Sequence, residues 1–347
     1  MRIAIVGAGV AGRSLYRFME LDGITDAHDV EIFDLERPHT RCRIHPCAWG
    51  VKTPEWKRAC RMLETKRRIL REFTRINRNG EMIRCDLCTI DKPKFLDDIC
   101  PEDNIQRGGF DDDCSKYDIV VDATGEKRAI LPPLKDDMKI TCRQALFKTS
   151  VENVDMTVIP SPSVGYSWVF PIDNQFIHIG QGAMKWDFDF ITPPETAEAM
   201  KYAGVEGREP VCGWYESKIR LMSPVYSRPI TSGNVVGVGE AAGCVSPHTG
   251  AGILPGILSA RLLADYILYD VSKPPHDEYW IPLYERAIIS EFGFLNRETK
   301  IIRKIINNET VNLIDLVCLY RNIRYFGMYP GPKQVIDQLK MVGARFL

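Results

Sequence analysis

The sequence predicts an α/β protein in which a nucleotide-binding sheet is interrupted by a mostly antiparallel sheet and followed by helices. Three observations carry this prediction. A glycine-rich turn stands between a short apolar strand and a helical pattern at the start of the chain. A second strand, glycine turn and helix return much later, over Gly233 to Ile267. Between the two, residues 139–190 hold short runs of alternating apolar and polar residues, the period of half-buried strands.

The first unit begins with the apolar, β-branched-rich run of residues 2–6 and the turn Gly7-Ala8-Gly9-Val10-Ala11-Gly12. Each glycine has a mechanical task in a Rossmann-type βαβ fold. Gly7 permits the tight turn, Gly9 admits a pyrophosphate close to the backbone, and Gly12 lets helix and strand approach. Val10 and Ala11 open the helix, whose free N–H groups and positive dipole face the phosphates. A second strand, Val30 to Phe33, ends in Asp34, placed to accept a ribose diol. A carboxylate there opposes a 2′-phosphate, so the site suits FAD or NAD rather than NADP.

The strand Tyr117 to Asp122 ends in the short turn Ala123-Thr124-Gly125. The late unit runs from Val235 through Gly239 and Glu240, then through Pro247, Gly250, Ala251, Gly252 and Ile253 into a long helix. A plain NAD dehydrogenase has no use for this distant return to the cofactor, so the pattern selects FAD.

This layout resembles the FAD-dependent group that includes the aromatic hydroxylases and the geranylgeranyl reductases. The resemblance implies that Gly239 and Glu240 hold the ribityl-pyrophosphate end of FAD. It also implies that Pro247, Gly250, Ala251, Gly252 and Ile253 aim backbone N–H groups at the flavin's pyrimidine side. Two residues depart from the pattern: Glu240 replaces an aspartate, and Ala251 replaces the glutamate usual in the reductases. Whatever the family, a helix N-terminus near Gly252 stabilises negative charge on a reduced flavin.

Within the inserted sheet, strands are expected at Ala145–Thr149, Met156–Ile159, Tyr166–Phe170 and Phe176–Gly180. Alternation sets Tyr166, Trp168 and Phe170 on one face, which either walls a cavity or packs against a helix. The segment Tyr-x-Trp-x-Phe-Pro, ending in Pro171 and trailed by Ile179-Gly180-Gln181-Gly182, resembles the substrate-domain signature of geranylgeranyl reductases. That likeness favours a cavity for a long apolar chain. In the same way Cys47 matches a cysteine loop that the reductases carry near the flavin, followed here by Ala48. The resemblance gives Cys47 the role of proton donor or gate. Arg43 is expected among the cofactor contacts, and with His45 would lower the thiol's pKa. Lys92 stands where the family has an arginine at a helix start.

Composition narrows the rest. A net charge of −1 offers no global attraction for nucleic acid. No long apolar run marks a spanning helix, and the opening residues lack a secretory pattern. Eleven dispersed cysteines are then expected as free thiols in a reducing cytoplasm. Cys85-x-x-Cys88 has no second pair, and no histidine set suggests a metal. Residues 55–78 are expected as one basic amphipathic helix with Lys57, Arg58, Arg61, Lys66, Arg67, Arg68, Arg71 and Arg75 opposite Trp56, Leu63, Leu70 and Phe73. Such a face is solvated, rests on anionic lipid, or docks a ferredoxin.

The expected organisation is an FAD-binding part over 1–138, with 41–90 partly facing the substrate sheet. A substrate-binding β-sheet follows over 139–222, a second FAD-binding part over 223–270, and a helical region over 271–347. The expected activity is FAD-dependent saturation of carbon–carbon double bonds in an isoprenoid chain on a membrane-lipid precursor. The electron donor is NAD(P)H or ferredoxin. The alternative is an FAD-dependent monooxygenase acting on an aromatic or polyene substrate.

Overall fold

The computed structural model describes residues 1–35, 47–78, 80–111, 113–161, 164–184, 194–272, 280–341 and 343–346. The chain opens with β1 (Arg2–Val6), α1 (Val10–Leu21), α2 (Ile24–Ala27) and β2 (Asp29–Asp34). It continues with β3 (Gly50–Lys52), α3 (Thr53–Met62), β4 (Ile69–Arg78), β5 (Glu81–Ile90), α4 (Lys92–Ile99), β6 (Ile105–Arg107) and β7 (Ile119–Asp122). The middle holds β8 (Lys139–Lys148), β9 (Thr157–Ser161), β10 (Gly165–Pro171), β11 (Phe176–Ala183), α5 (Pro194–Tyr202) and β12 (Tyr215–Arg220). Then come β13 (Thr231–Ser232), β14 (Val235–Gly237), α6 (Ile253–Val271), α7 (Trp280–Glu291), α8 (Asn296–Ile306), β15 (Thr310–Val311), α9 (Leu313–Tyr325), α10 (Pro332–Met341) and β16 (Arg345–Phe346).

Two sheets organise these elements. The first has the order β13-β14-β7-β1-β2-β6 and is parallel except for the β13–β14 pair. Strands Ile3 to Val6 and Ile119 to Asp122 are buried along their whole length, as parallel strands covered on both faces must be. Helices α1 and α6 lie together against this sheet, and Leu15, Phe18, Ile257, Leu263 and Ile267 are fully buried in the shared core.

The second sheet has the order β12-β8-β11-β10-β9-β4-β5-β3, antiparallel except where β4 runs beside β9. It extends past the insert at 139–222 by drawing in β3, β4 and β5 from the first third of the chain. Alternation divides its faces. Val169, Ile177 and Ile179 pack with Ala199 and Ala203 around α5, which leaves Tyr166, Trp168 and Phe170 for the opposite face.

The expected basic helix over 55–78 is not formed. Helix α3 ends at Met62, Glu64 and Arg68 take left-handed backbone conformations, and residues 69–78 are strand β4 paired with β5. Cations at close spacing mimic a helical stripe, but Ile69, Phe73 and Ile76 are β-formers with a partner strand directly after them. Lys57 instead pairs with Glu72 at 2.6 Å and Arg68 with Asp98 at 2.6 Å. Trp56 and Leu63 are buried, whereas Leu70 is exposed.

The expectation of free thiols throughout is also corrected, because Cys212 is disulfide-bonded. Pairing depends on which cysteines the fold brings together, which spacing alone does not tell. Cys85 and Cys88 are free and fully buried, and burial pushes each thiol up to about 11. Neither is set up for redox or metal chemistry. No described helix is long and apolar enough to cross a membrane, and the described residues hold no cluster of His, Cys, Asp and Glu suited to a metal.

Candidate active site

The glycines of the first turn act through the space they leave. Gly7 sits at φ 109°, and a Cβ there would lie 2.4 Å from the Ala123 carbonyl oxygen. A Cβ on Gly12 would lie 1.9 Å from the carbonyl oxygen of Gly7, so strand and helix are in backbone contact. A Cβ on Gly9 would meet nothing within 4 Å. The space before the N-terminus of α1 is therefore open, and no side chain caps that helix. A Cβ on Gly239, at φ 63°, would lie 2.6 Å from Ala11 Cβ, so the late turn sits close against the start of α1, and the Gly239 N–H donates to Ser259 Oγ of α6 at 3.0 Å. Helix α6 likewise begins at Gly252 without a side-chain cap.

Both uncapped helix starts open on one cavity of about 490 Å³. Gly9, Val10, Ala11, Gly125, Gly239, Glu240, Pro247, Gly250, Ala251, Gly252 and Ile253 line it. Cys47, Tyr166, Trp168, Phe170 and Lys92 line it too. Five expected site residues do not line it or lie outside the described residues. Asp34 accepts from Arg107 Nη1 at 2.8 Å, at the end of β2. Gly7 and Gly12 serve packing, and the carbonyl of Pro171 accepts from Thr89 Oγ1. Arg43, with His45, lies outside the described residues.

A chain of side-chain bonds holds the cysteine loop over this cavity. Trp168 Nε1 donates to Gln144 Oε1 at 3.0 Å, and Gln144 Nε2 donates to the Cys47 carbonyl at 3.1 Å. Trp49 bends the loop with a φ of 60° and meets the fully buried His178 edge-on, ring centroids 4.5 Å apart. Burial lowers the His178 pKa to about 3, so the ring is neutral at physiological pH. Gly50 lacks a Cβ where the Phe170 ring lies 2.4 Å away. Tyr166 crosses to the other wall, its hydroxyl donating to the Thr249 carbonyl at 2.5 Å.

Three polar residues that motif reading did not single out complete the site. Arg220, on β12, is fully buried and pairs with Asp137 at 2.7 Å. Its guanidinium also donates to the carbonyls of Gly125, Glu126 and Glu240, tying the middle and late turns together. Glu240 Oε1 in turn accepts the Arg220 backbone N–H at 2.7 Å. Glu298, on α8, is buried beneath the loop that precedes α6. Its carboxylate accepts from Ser246 Oγ at 2.6 Å, from the His248 N–H at 3.1 Å and from Asn322 Nδ2 at 2.9 Å. Gln144, Arg220 and Glu298 belong to no local motif; they are recognisable only from partners distant in sequence.

Two expected outcomes follow from these carboxylates. Burial raises Glu240 from its ordinary 4.5 to about 7. A raised carboxyl pKa means the folded state binds the proton more tightly, so the contribution is fully present below about 4.5 and lost as pH rises through about 7. The flavin-free protein should lose melting temperature across that window, and Glu240→Gln should flatten the loss. An unchanged slope in thermal melts would refute this role for Glu240. Glu298→Ala should cost about 3 kcal/mol, because it strands three buried donors. Glu298→Gln should recover part of that in denaturant melts, since its carbonyl oxygen still accepts.

No family model matches the chain. An uncharacterized protein of Methanocaldococcus jannaschii is 27% identical over 93% of this chain and 96% of its own length. A digeranylgeranylglycerophospholipid reductase of Methanosphaera stadtmanae is 28% identical over 44% of this chain and 38% of that protein. Among solved structures, a geranylgeranyl bacteriochlorophyll reductase-like protein of Thermoplasma acidophilum superposes with a TM-score of 0.64 and 14% identity, covering 99% of this chain and 92% of the other. A probable FAD-dependent monooxygenase of Pseudomonas aeruginosa superposes with a TM-score of 0.60 and 14% identity, covering 88% and 96%. The chain therefore has the α/β fold of the FAD-dependent oxidoreductases, on which reductase-like proteins and monooxygenases alike are built.

Proposed function

We propose that the protein binds FAD along the open N-termini of α1 and α6 and saturates carbon–carbon double bonds of an isoprenoid chain carried by a lipid. The observation that carries this reading is the make-up of one cavity. Its lining joins the cofactor turns and the Cys47 loop to an apolar region formed by Ile301, Ile305, Leu319, Ile323, Phe326 and Leu339. A mostly hydrocarbon wall with few polar groups suits a long apolar chain.

The residues fit the cofactor on their own geometry: an open cradle before Gly9, two uncapped helix starts, and Glu240 beside the Gly125 turn. Reduced FAD supplies hydride chemistry when bound, and a nicotinamide nucleotide or a ferredoxin restores the reducing equivalents. The chain's own tasks are to exclude water, hold the alkene against the wall of Tyr166, Trp168 and Phe170, and keep a proton at Cys47 Sγ. With hydride supplied to one alkene carbon, Cys47 would deliver its proton to the other, and bulk water would reprotonate the thiol.

The test is anaerobic. The protein is purified with its flavin, reduced, and mixed with a geranylgeranyl lipid while the oxidised flavin band is followed. Return of the band without oxygen, with saturated product by mass spectrometry, is the expected result. The monooxygenase likeness gives a second reading on the same cavity. Flavin that stays reduced until air enters, followed by an oxygenated product, would select it.

A further inference from the structure

From Asn296 to the C-terminus the chain has nine lysines and arginines against four carboxylates, net +5 in a protein whose total is −1. Two of those carboxylates are buried: Glu298 under the loop that precedes α6, and Asp315 between Arg297 and Lys304. On the surface, Lys300, Arg321, Arg324, Lys333, Lys340 and Arg345 face only Glu309 and Asp337 among the described residues of this region. The positive charge is therefore outward, with Asp86 and Glu81 of the β4–β5 hairpin at its edge, bonded to Tyr329 and Gln334, and Arg324 resting against the rings of Tyr320 and Tyr329.

The same surface carries exposed hydrocarbon. Leu313 is 73% exposed, Ile314 62% and Val317 49%. They fall together on the outer side of α9, with Arg321 and Arg324 following on that side at helical spacing. Ile306 at the end of α8 and Met341 at the end of α10 are exposed as well. The inner side of α9 presents Leu319 and Ile323 to the cavity. One helix thus separates the apolar cavity from an apolar, cationic surface.

We propose that the outer side of α9, with the ends of α8 and α10, is a docking surface for an anionic lipid bilayer. The choice of a bilayer as occupant rests on charge complementarity and on the lipid substrate proposed above. Exposed leucine and isoleucine enter the headgroup boundary, and the surrounding cations are drawn to anionic lipid. Docked this way, the protein has the wall of its cavity against the source of its substrate.

Flotation of the 347-residue chain with vesicles tests this. Vesicles of equimolar phosphatidylglycerol and phosphatidylcholine should carry the protein, and pure phosphatidylcholine should carry far less. High salt should weaken binding. Leu313→Ser with Ile314→Ser should weaken it about tenfold, and Arg321→Gln or Arg324→Gln roughly fivefold each. Val317→Asn, on the same face, serves if the double variant melts early. Failure of the wild type to float with anionic vesicles, or variants that float equally well, would overturn the proposal. So would a dimer in sedimentation that the leucine and isoleucine variants dissociate while vesicle binding persists, because the occupant would then be a second copy. Anaerobic flavin reoxidation by detergent-dispersed geranylgeraniol separates the two readings. It should be unaffected by these substitutions, and its absence from the wild type with flotation intact would remove the lipid-reductase reading alone.

Discussion

Gly12→Val is expected to abolish flavin retention and to destabilise the protein by at least about 3 kcal/mol. The new Cβ would stand 1.9 Å from the Gly7 carbonyl oxygen and 3.3 Å from Ala123 Cβ. Neither the turn nor α1 can yield without breaking the close contact on which the βαβ unit depends. For a chain of this size a loss of that order is roughly 4 °C in melting temperature. Gly9→Ala is the matched control. Its Cβ meets nothing within 4 Å, so the melt of the flavin-free protein should hold while flavin affinity falls. Equal destabilisation by both substitutions would mean that Gly9 serves packing rather than a cofactor.

Cys47→Ala is expected to lower the rate of anaerobic flavin reoxidation by a prenyl lipid about 10²-fold to 10⁴-fold. Flavin content and melting temperature should stay at the wild-type level, because the loop is held through the Cys47 carbonyl and the Trp49 ring rather than through sulfur. Cys47→Ser should restore a small part of the rate, its hydroxyl being a weaker acid. Gln144→Leu should behave differently. It leaves the thiol in place but removes its support, so the rate should drop while a conservative Gln144→Glu keeps part of it. A wild-type rate in Cys47→Ala would assign the proton to solvent and leave Cys47 as cavity lining.

The correction at residues 55–78 shows where reading by periodicity stops. Eight cations at helical spacing imitate an amphipathic stripe, yet Glu64 and Arg68 are left-handed and the second half is strand β4. A strand is stabilised by the partner beside it, and β5 supplies that partner across a short turn. An exposed apolar face lies instead on α9, where Leu313 and Ile314 had no motif to mark them. Helical periodicity beyond residue 275 was legible; which side of each helix is buried was not, because that depends on what the helix packs against.

The sequence by itself determined the parallel nucleotide-binding sheet, the two glycine turns and the aromatic strand. These are local: a glycine turn needs its own φ angles, and alternation along one strand assigns its faces. It also pointed to the early and late turns sharing one site, and both line a single cavity. Only the tertiary structure decided that β3, β4 and β5 join the second sheet, and that Asp34 is bonded to Arg107. It alone placed Gln144 behind Cys47, Arg220 between the turns and Glu298 beneath the loop. Buried polar side chains must find partners, and those partners lie from about twenty to almost a hundred residues away in the chain. No local pattern records such a pairing; folding makes it by bringing distant segments into one desolvated site.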